Sequence, residues 1–371
     1  MGYSRHRKAA ALARWLGPWA DAEATPSNVN RTTEVLDPAA NGTAVKSYRY
    51  EPARGDVSGT YVVVQGLHYA GPDDPRMDRF CRVLASAGLL VLAPFVRDYL
   101  SLDVRHTAAD DVAAACEHAV KLSAQRGLPR PALFSISFGS MPAIEVASSE
   151  RHRDTLGGLV LFGGFYDFHA VIRFALTGRA FDGATEVTIP HDPLNAPAVF
   201  VNLAHHLEIP GDAGPLVEAW RTITRRTWGR PELRPVARRI PMMEALAREL
   251  PEEQRELFAI GCGLAPGGAA LLEVGLARAR DFFAFTHPAP RLARVTAPVV
   301  IGHGRDDDVI PFTEATKLRE ALPGDHPHRL HVTGMYGHTG SAMPTPGDVA
   351  GEAGTMLDTL YSVIDAPHEA L

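Results

Sequence analysis

The chain predicts an α/β fold, a mostly parallel, doubly wound sheet interrupted by one long helical insertion. Three observations carry that expectation. From Thr60 short apolar runs alternate with longer segments of helical period; the alternation pauses near Tyr166; and it resumes at Ala297 after a stretch of helical segments parted by Pro and Gly. A parallel strand covered on both faces reads as an unbroken apolar run, which is how these runs read.

The elements follow in order. "TYVVVQG" is a strand, "DPRMDRFCRVLASAG" a helix and "LLVLAPF" the next strand. "AADDVAAACEHAVKLSAQRG" is a second helix ending at Gly127, where glycine tolerates the left-handed turn that closes a helix. "PALFS", "SMPAIEVASS" and "GGLVLFGG" give strand, helix, strand. After the pause come the strand "APVVIGHG", the helix "TEATKLREAL", the strand "RLHVT" and a closing helix, "GEAGTMLDTLYSVI". This places the sheet core in residues 60–165 and 293–371, a helical cap or lid in 166–292, and a helical and extended segment packed on the core in 1–59.

Composition narrows the function. Of the 371 residues 46% are hydrophobic and 22% charged, as for a globular protein with a sizeable core. A net charge of −6 argues against nucleic acid or an anionic membrane as the main partner, since both reward dense Lys and Arg. Cys81, Cys116 and Cys262 are too few and too far apart for a disulfide framework or a zinc site, which suits a cytoplasmic protein. The first residues are basic, but Arg14 interrupts the apolar run that a signal peptide needs, so the segment with Trp15 and Trp19 is expected to dock as an amphipathic helix. His6 stands where myristoylation wants Ser or Thr, and no apolar run is long enough to span a bilayer, so no stable membrane insertion is expected.

The chemistry centres on "PALFSISFGSMPAIEVAS", from Pro131. Ser137 stands where the strand breaks off and a helix begins, with Gly139 two positions on and Pro142 in the first helical turn. A nucleophile elbow needs small residues two places either side of its serine; the usual G-x-S-x-G is here S-x-S-x-G, with Ser135 in the first position. A plain small-residue turn is the competing reading of this motif by itself. A second signal is "VVIGHGRDDDVIPF", a strand followed by Asp306, Asp307 and Asp308, where a carboxylate that orients a histidine belongs. Asp167 in "GGFYDF", also just past a strand, is a rival. The third is "HVTGMYGHTGS", with His338 beyond the last strand.

The order Ser, Asp, His at strand ends resembles the α/β-hydrolase superfamily. The stretch "QGLHYAGPDDPRMDRFCRVLASAGLLVLAP" is similar to bacterial serine hydrolases of esterase or dienelactone-hydrolase-like type. The resemblance spans residues 60–168 and 297–364 and implies Ser137 as nucleophile, His338 as general base and acid, and Asp307 as the acid that orients it. Asp306 and Asp308 then remain as solvated or turn-capping loop carboxylates. It further implies an oxyanion hole from the backbone N–H of Phe138 and of the loop after the first strand. There Gln65-Gly66 stands where many relatives have His-Gly, which selects Leu67, with His68 as the alternative donor.

The implied activity is hydrolysis of a carboxylic ester, or a thioester or amide by the same parts, on a small and hydrophobic acyl substrate through an acyl-enzyme. Acyl transfer and a non-catalytic binding protein on this fold are the alternatives. No cofactor is expected: "GGFYDF" and "APGGAA" lack the spacing of a phosphate loop. No metal is expected either, because consecutive carboxylates seldom point at one centre and His205 and His206 would face different ways on a helix. Of the insertion, "FFAF" and "VFVNLAHHL" are candidates for lining an acyl pocket.

Overall fold

The computed structural model describes residues 2–13, 25–37, 42–334 and 349–368. The strands are β1 (Val29–Leu36), β2 (Val45–Pro52), β3 (Gly59–Val64), β4 (Leu89–Pro94), β5 (Ala132–Ile136), β6 (Gly158–Phe162), β7 (Arg179–Asp182), β8 (Thr185–Thr188), β9 (Val299–Gly304) and β10 (His328–Thr333). All but β7 and β8 form one eight-stranded sheet, in the order β1-β2-β4-β3-β5-β6-β9-β10. The six strands from β4 to β10 are parallel, while β1 and β2 are antiparallel additions at one edge. The sheet therefore begins before residue 59, in a stretch whose sequence suggests only an extended segment. In β1 the burial pattern leaves most side chains exposed, and an exposed edge strand lacks the apolar run that marks the others.

The helices are α1 (Gly2–Leu12), α2 (Pro75–Ser86), α3 (Arg97–Leu100), α4 (Ala108–Gln125), α5 (Ser140–Ser148), α6 (Phe168–Thr177), α7 (Ala196–Leu203), α8 (Gly214–Thr227), α9 (Val236–Glu249), α10 (Arg255–Gly261), α11 (Gly268–Arg278), α12 (Ala289–Leu292), α13 (Thr313–Glu320) and α14 (Val349–Asp365). Successive strand residues point to opposite faces, so each central strand feeds two cores. Val62 and Val64 of β3 join a cluster with Val112 and Cys116 of α4, Ile144 of α5 and Leu318 of α13. Tyr61 and Val63 join another with Leu12 of α1, Phe80 and Leu84 of α2, and Leu360 of α14. Helix α2 shows how the sequence makes such a layer. Pro75 opens it, the Asp74 carboxylate caps the Arg76 N–H, and Met77, Phe80, Cys81 and Leu84 recur on one buried face. Among the described residues no helix is long and apolar enough to cross a membrane.

Between β6 and β9 the chain runs through α6–α12. Its outer part has its own core, with Trp220, Met243, Phe258 and Cys262 buried together. Its inner part, including Val171, Val199 and Phe283, is continuous with the core of the sheet. Asn202 of α7 ties it to the body: the amide donates to the Leu102 carbonyl at 2.9 Å and accepts from the Val104 N–H at 2.7 Å. The β7–β8 hairpin interrupts the helices; its two-residue turn is Gly183-Ala184, a glycine-first turn signal that a helical reading passes over.

Candidate active site

Strands β5 and β9 point the same way and lie two apart in the sheet, so the loops that follow them leave it at the same end. Ser137 follows β5 directly. Its φ is 54°, a left-handed conformation that, among the described non-glycine residues, only Leu102 shares, with φ 62°. The turn Ser137–Gly139 passes straight into α5. Close packing enforces this bend. A Cβ on Gly139 would lie 2.5 Å from the Gln65 carbonyl oxygen and 2.6 Å from that of Val64. On the other flank Ser135 is fully buried, and its hydroxyl donates to the Val160 carbonyl at 3.1 Å. That bond explains how a serine replaces the usual first glycine. The buried Tyr99 hydroxyl donates to the Phe138 carbonyl at 2.8 Å and holds the turn from below.

Ser137 lines a cavity of about 180 Å³ together with Leu67 and Phe138, the two residues expected to supply oxyanion donors. The insertion contributes Val171, Ile172, Ala175, Val199 and Trp228 to its wall. From "VFVNLAHHL" the lining takes Val199 and Asn202, as the sequence suggests. The "FFAF" segment serves elsewhere: Phe283 packs on Phe168 with centroids 4.6 Å apart, and Phe282 is half exposed.

The three carboxylates after β9 have separate fates. Asp306 is exposed, and Asp307 is buried. The Asp307 Oδ1 accepts from the N–H groups of Val309 and Ile310, both at 2.9 Å, while Oδ2 lies 3.5 Å from the His303 Nε2. His303 is fully buried and also reaches the Ile310 carbonyl at 2.9 Å, so it braces the loop that presents Asp307. Asp308 is not the solvated loop group that the sequence suggests: Arg234 bridges it to Asp192. The rival Asp167 caps α6, its Oδ1 accepting from the Ala170 N–H at 3.1 Å. His338 lies outside the described residues.

His68 sits at the polar end of the cavity, its ring stacked on Tyr69 at 4.4 Å and Trp228 at 5.8 Å. Its Nδ1 accepts from the Ala70 N–H at 3.2 Å, which puts the proton on Nε2, facing Asp74 at 3.3 Å. Burial lowers the pKa to about 4, against the pull of Asp74, so the ring is neutral. Asp74 is itself held by Arg76 at 2.8 Å. His205 and His206 lie on a short turn in the insertion, His206 against Phe282. Among the described residues no three metal-ligating side chains come together. The three cysteines are buried free thiols.

A strand-to-helix serine in left-handed backbone, on the middle of a parallel sheet with a carboxylate loop two strands away, is a recognisable arrangement. The brefeldin A esterase, a bacterial homologue of human hormone-sensitive lipase, superposes with a TM-score of 0.50 over 99% of this chain and 85% of its own, at 15% identity. The chain has the α/β-hydrolase fold. Other solved structures on this fold are more distant: a Pyrococcus furiosus esterase (TM-score 0.47, 11% identity, 90% of this chain and 92% of that one) and a thermophilic esterase from Thermogutta terrifontis (0.42, 15%, 91% and 99%). No protein-family model and no curated protein matches the chain.

Proposed function

We propose that the chain is a serine hydrolase that cleaves a carboxylic ester of a small hydrophobic acyl group. The observation that carries this reading is Ser137 itself: a serine held at φ 54°, nearly buried, on the wall of a mainly apolar cavity. Left-handed backbone at a residue with a Cβ costs free energy and persists where the surroundings impose it, often at sites of chemistry. The brefeldin A esterase, which shares the fold, supports the same reaction class.

In this mechanism the Ser137 Oγ attacks the ester carbonyl while His338 takes its proton. The N–H groups of Leu67 and Phe138 stabilise the oxyanion, and collapse expels the alcohol with the proton that His338 returns. Water then attacks the acyl-enzyme by the same sequence, releasing the acid and restoring the Ser137 hydroxyl. Asp307 orients His338 throughout. The helices of residues 166–292 act as a lid, with Val171, Ile172, Ala175 and Val199 receiving the apolar part of the substrate.

The test is kinetic. Ser137→Ala and His338→Ala should each abolish turnover of a butanoate ester, and the double variant should lose little more, because members of one nucleophilic unit are strongly non-additive. Independent, additive losses would contradict the shared mechanism.

A further inference from the structure

Arg234 lies on the insertion, directly after the short turn Pro231–Leu233 and just before α9. Its Nη2 meets two carboxylates at once: the Asp308 Oδ2 in the loop after β9 and, at 3.1 Å, the Asp192 Oδ2 on the insertion. The backbone repeats the link, with the Asp192 N–H donating to the Asp308 carbonyl at 2.9 Å. On the insertion side this seat is firm. The Asp192 Oδ1 accepts from the Leu194 N–H at 3.0 Å, and the Leu194 carbonyl accepts from the Trp228 indole N–H at 3.1 Å. On the core side Asp308 stands between Asp307 and Val309, whose N–H is one of the two that hold the Asp307 Oδ1. The bridge therefore ends on the residue that joins the acid to its own anchor.

Two carboxylates against one guanidinium leave the cluster with one negative charge in excess, and both are shielded from water, with side-chain exposures of 9% for Asp192 and 14% for Asp308. Without the arginine, two like charges in a poorly hydrated place would push the insertion and the acid loop apart. We infer that Arg234 is a positioning residue: from the insertion it fixes the loop that carries Asp307, so that the seated lid holds the acid in line. This deepens the reading of the site as a serine esterase and rests on it. Arg234 acts through Asp308 rather than on the substrate, so its loss is felt in kcat and hardly in KM. A misplacement of about 1 Å caused from a distance costs as much as about 100-fold in rate.

The test is steady-state hydrolysis of p-nitrophenyl butanoate, with the melting temperature of every variant measured beside it. Arg234→Met should lower kcat by about 10- to 100-fold with KM within about twofold. The melting temperature should move little, since an ion pair whose cation is 35% exposed adds little stability. Arg234→Lys should recover most of the rate, because one ammonium group can stand where Nη2 stands between the two acids. Asp308→Asn should act with opposite signs in two backgrounds: it slows the wild type, where it weakens the bridge, and speeds Arg234→Met, where it removes the repulsion. Wild-type kcat in Arg234→Met would overturn the proposal. So would a loss confined to KM, or a loss of kcat that follows the melting temperature and that Asp308→Asn deepens, the signature of a bridge that only braces the fold. If Arg234→Met does not fold, Asp308→Asn in the wild type decides, and an unchanged kcat there overturns the proposal. Labelling by a fluorophosphonate reports separately on the esterase reading: wild type labelled at Ser137, with full kcat kept in Arg234→Met, rejects only the role of Arg234, whereas wild type that is neither labelled nor active removes the esterase reading and this role with it.

Discussion

Gly139 and Gln65 touch through their backbones: the position a Cβ would occupy on Gly139 is 2.5 Å from the Gln65 carbonyl oxygen. Two chain segments distant in sequence thereby fix the bend that carries Ser137. Gly139→Ala should consequently move the turn or the end of β3, with a loss of about 1–3 kcal/mol in stability, the usual range for overpacking. Denaturant unfolding measures it, and the rate of ester turnover should fall with it.

Tyr99→Phe probes the same turn from the other side. Removing the hydroxyl leaves the Phe138 carbonyl without this donor in a buried setting, a cost of about 1–3 kcal/mol. The expected result is a lower unfolding midpoint with unchanged denaturant dependence.

The acid is tested by comparing three carboxylates. Asp307→Asn should reduce kcat by about 10⁴, as when a histidine is held in the wrong tautomer. The fold should survive, because an asparagine oxygen can still accept from the Val309 and Ile310 N–H groups. Asp306→Asn should change little at its exposed position. Asp167→Ala should cost about 0.5–2 kcal/mol of stability, as the loss of a helix cap, with kcat nearly intact. If Asp167→Ala instead removed turnover and Asp307→Asn did not, the assignment of the acid would be wrong.

His68 gives the protein a pH signature. Its pKa is about 4 in the fold against an ordinary 6.5, so between those values the unfolded chain binds more protons. Stability from this group is complete above about pH 6.5 and is lost as pH falls toward 4, with a slope of at most about 1.4 kcal/mol per pH unit. Unfolding free energies at pH 7 and pH 5 should differ less in His68→Gln than in the wild type. An equal difference would show that the ring titrates normally.

Much of this was legible in the sequence because the parallel strands are buried on both faces and the elbow needs a particular run of small residues. Ser135, Ser137 and Gly139 are close in the chain, so local spacing reveals them. Asp308 was not legible: its partner Arg234 lies on the insertion and Asp192 on another part of it, and no local pattern announces a bridge between them. Likewise "FFAF" looks like pocket lining, but aromatic content does not say which face of a turn meets the cavity.

Ser137 as a nucleophile is best decided by mass spectrometry of the intact protein after treatment with a fluorophosphonate, followed by peptide mapping. The expected result is one adduct, on the peptide holding Ser137, lost in Ser137→Ala and formed far more slowly in His338→Ala. Folded wild-type protein that stays unmodified, or an adduct that maps to another serine and persists in Ser137→Ala, would contradict the mechanism.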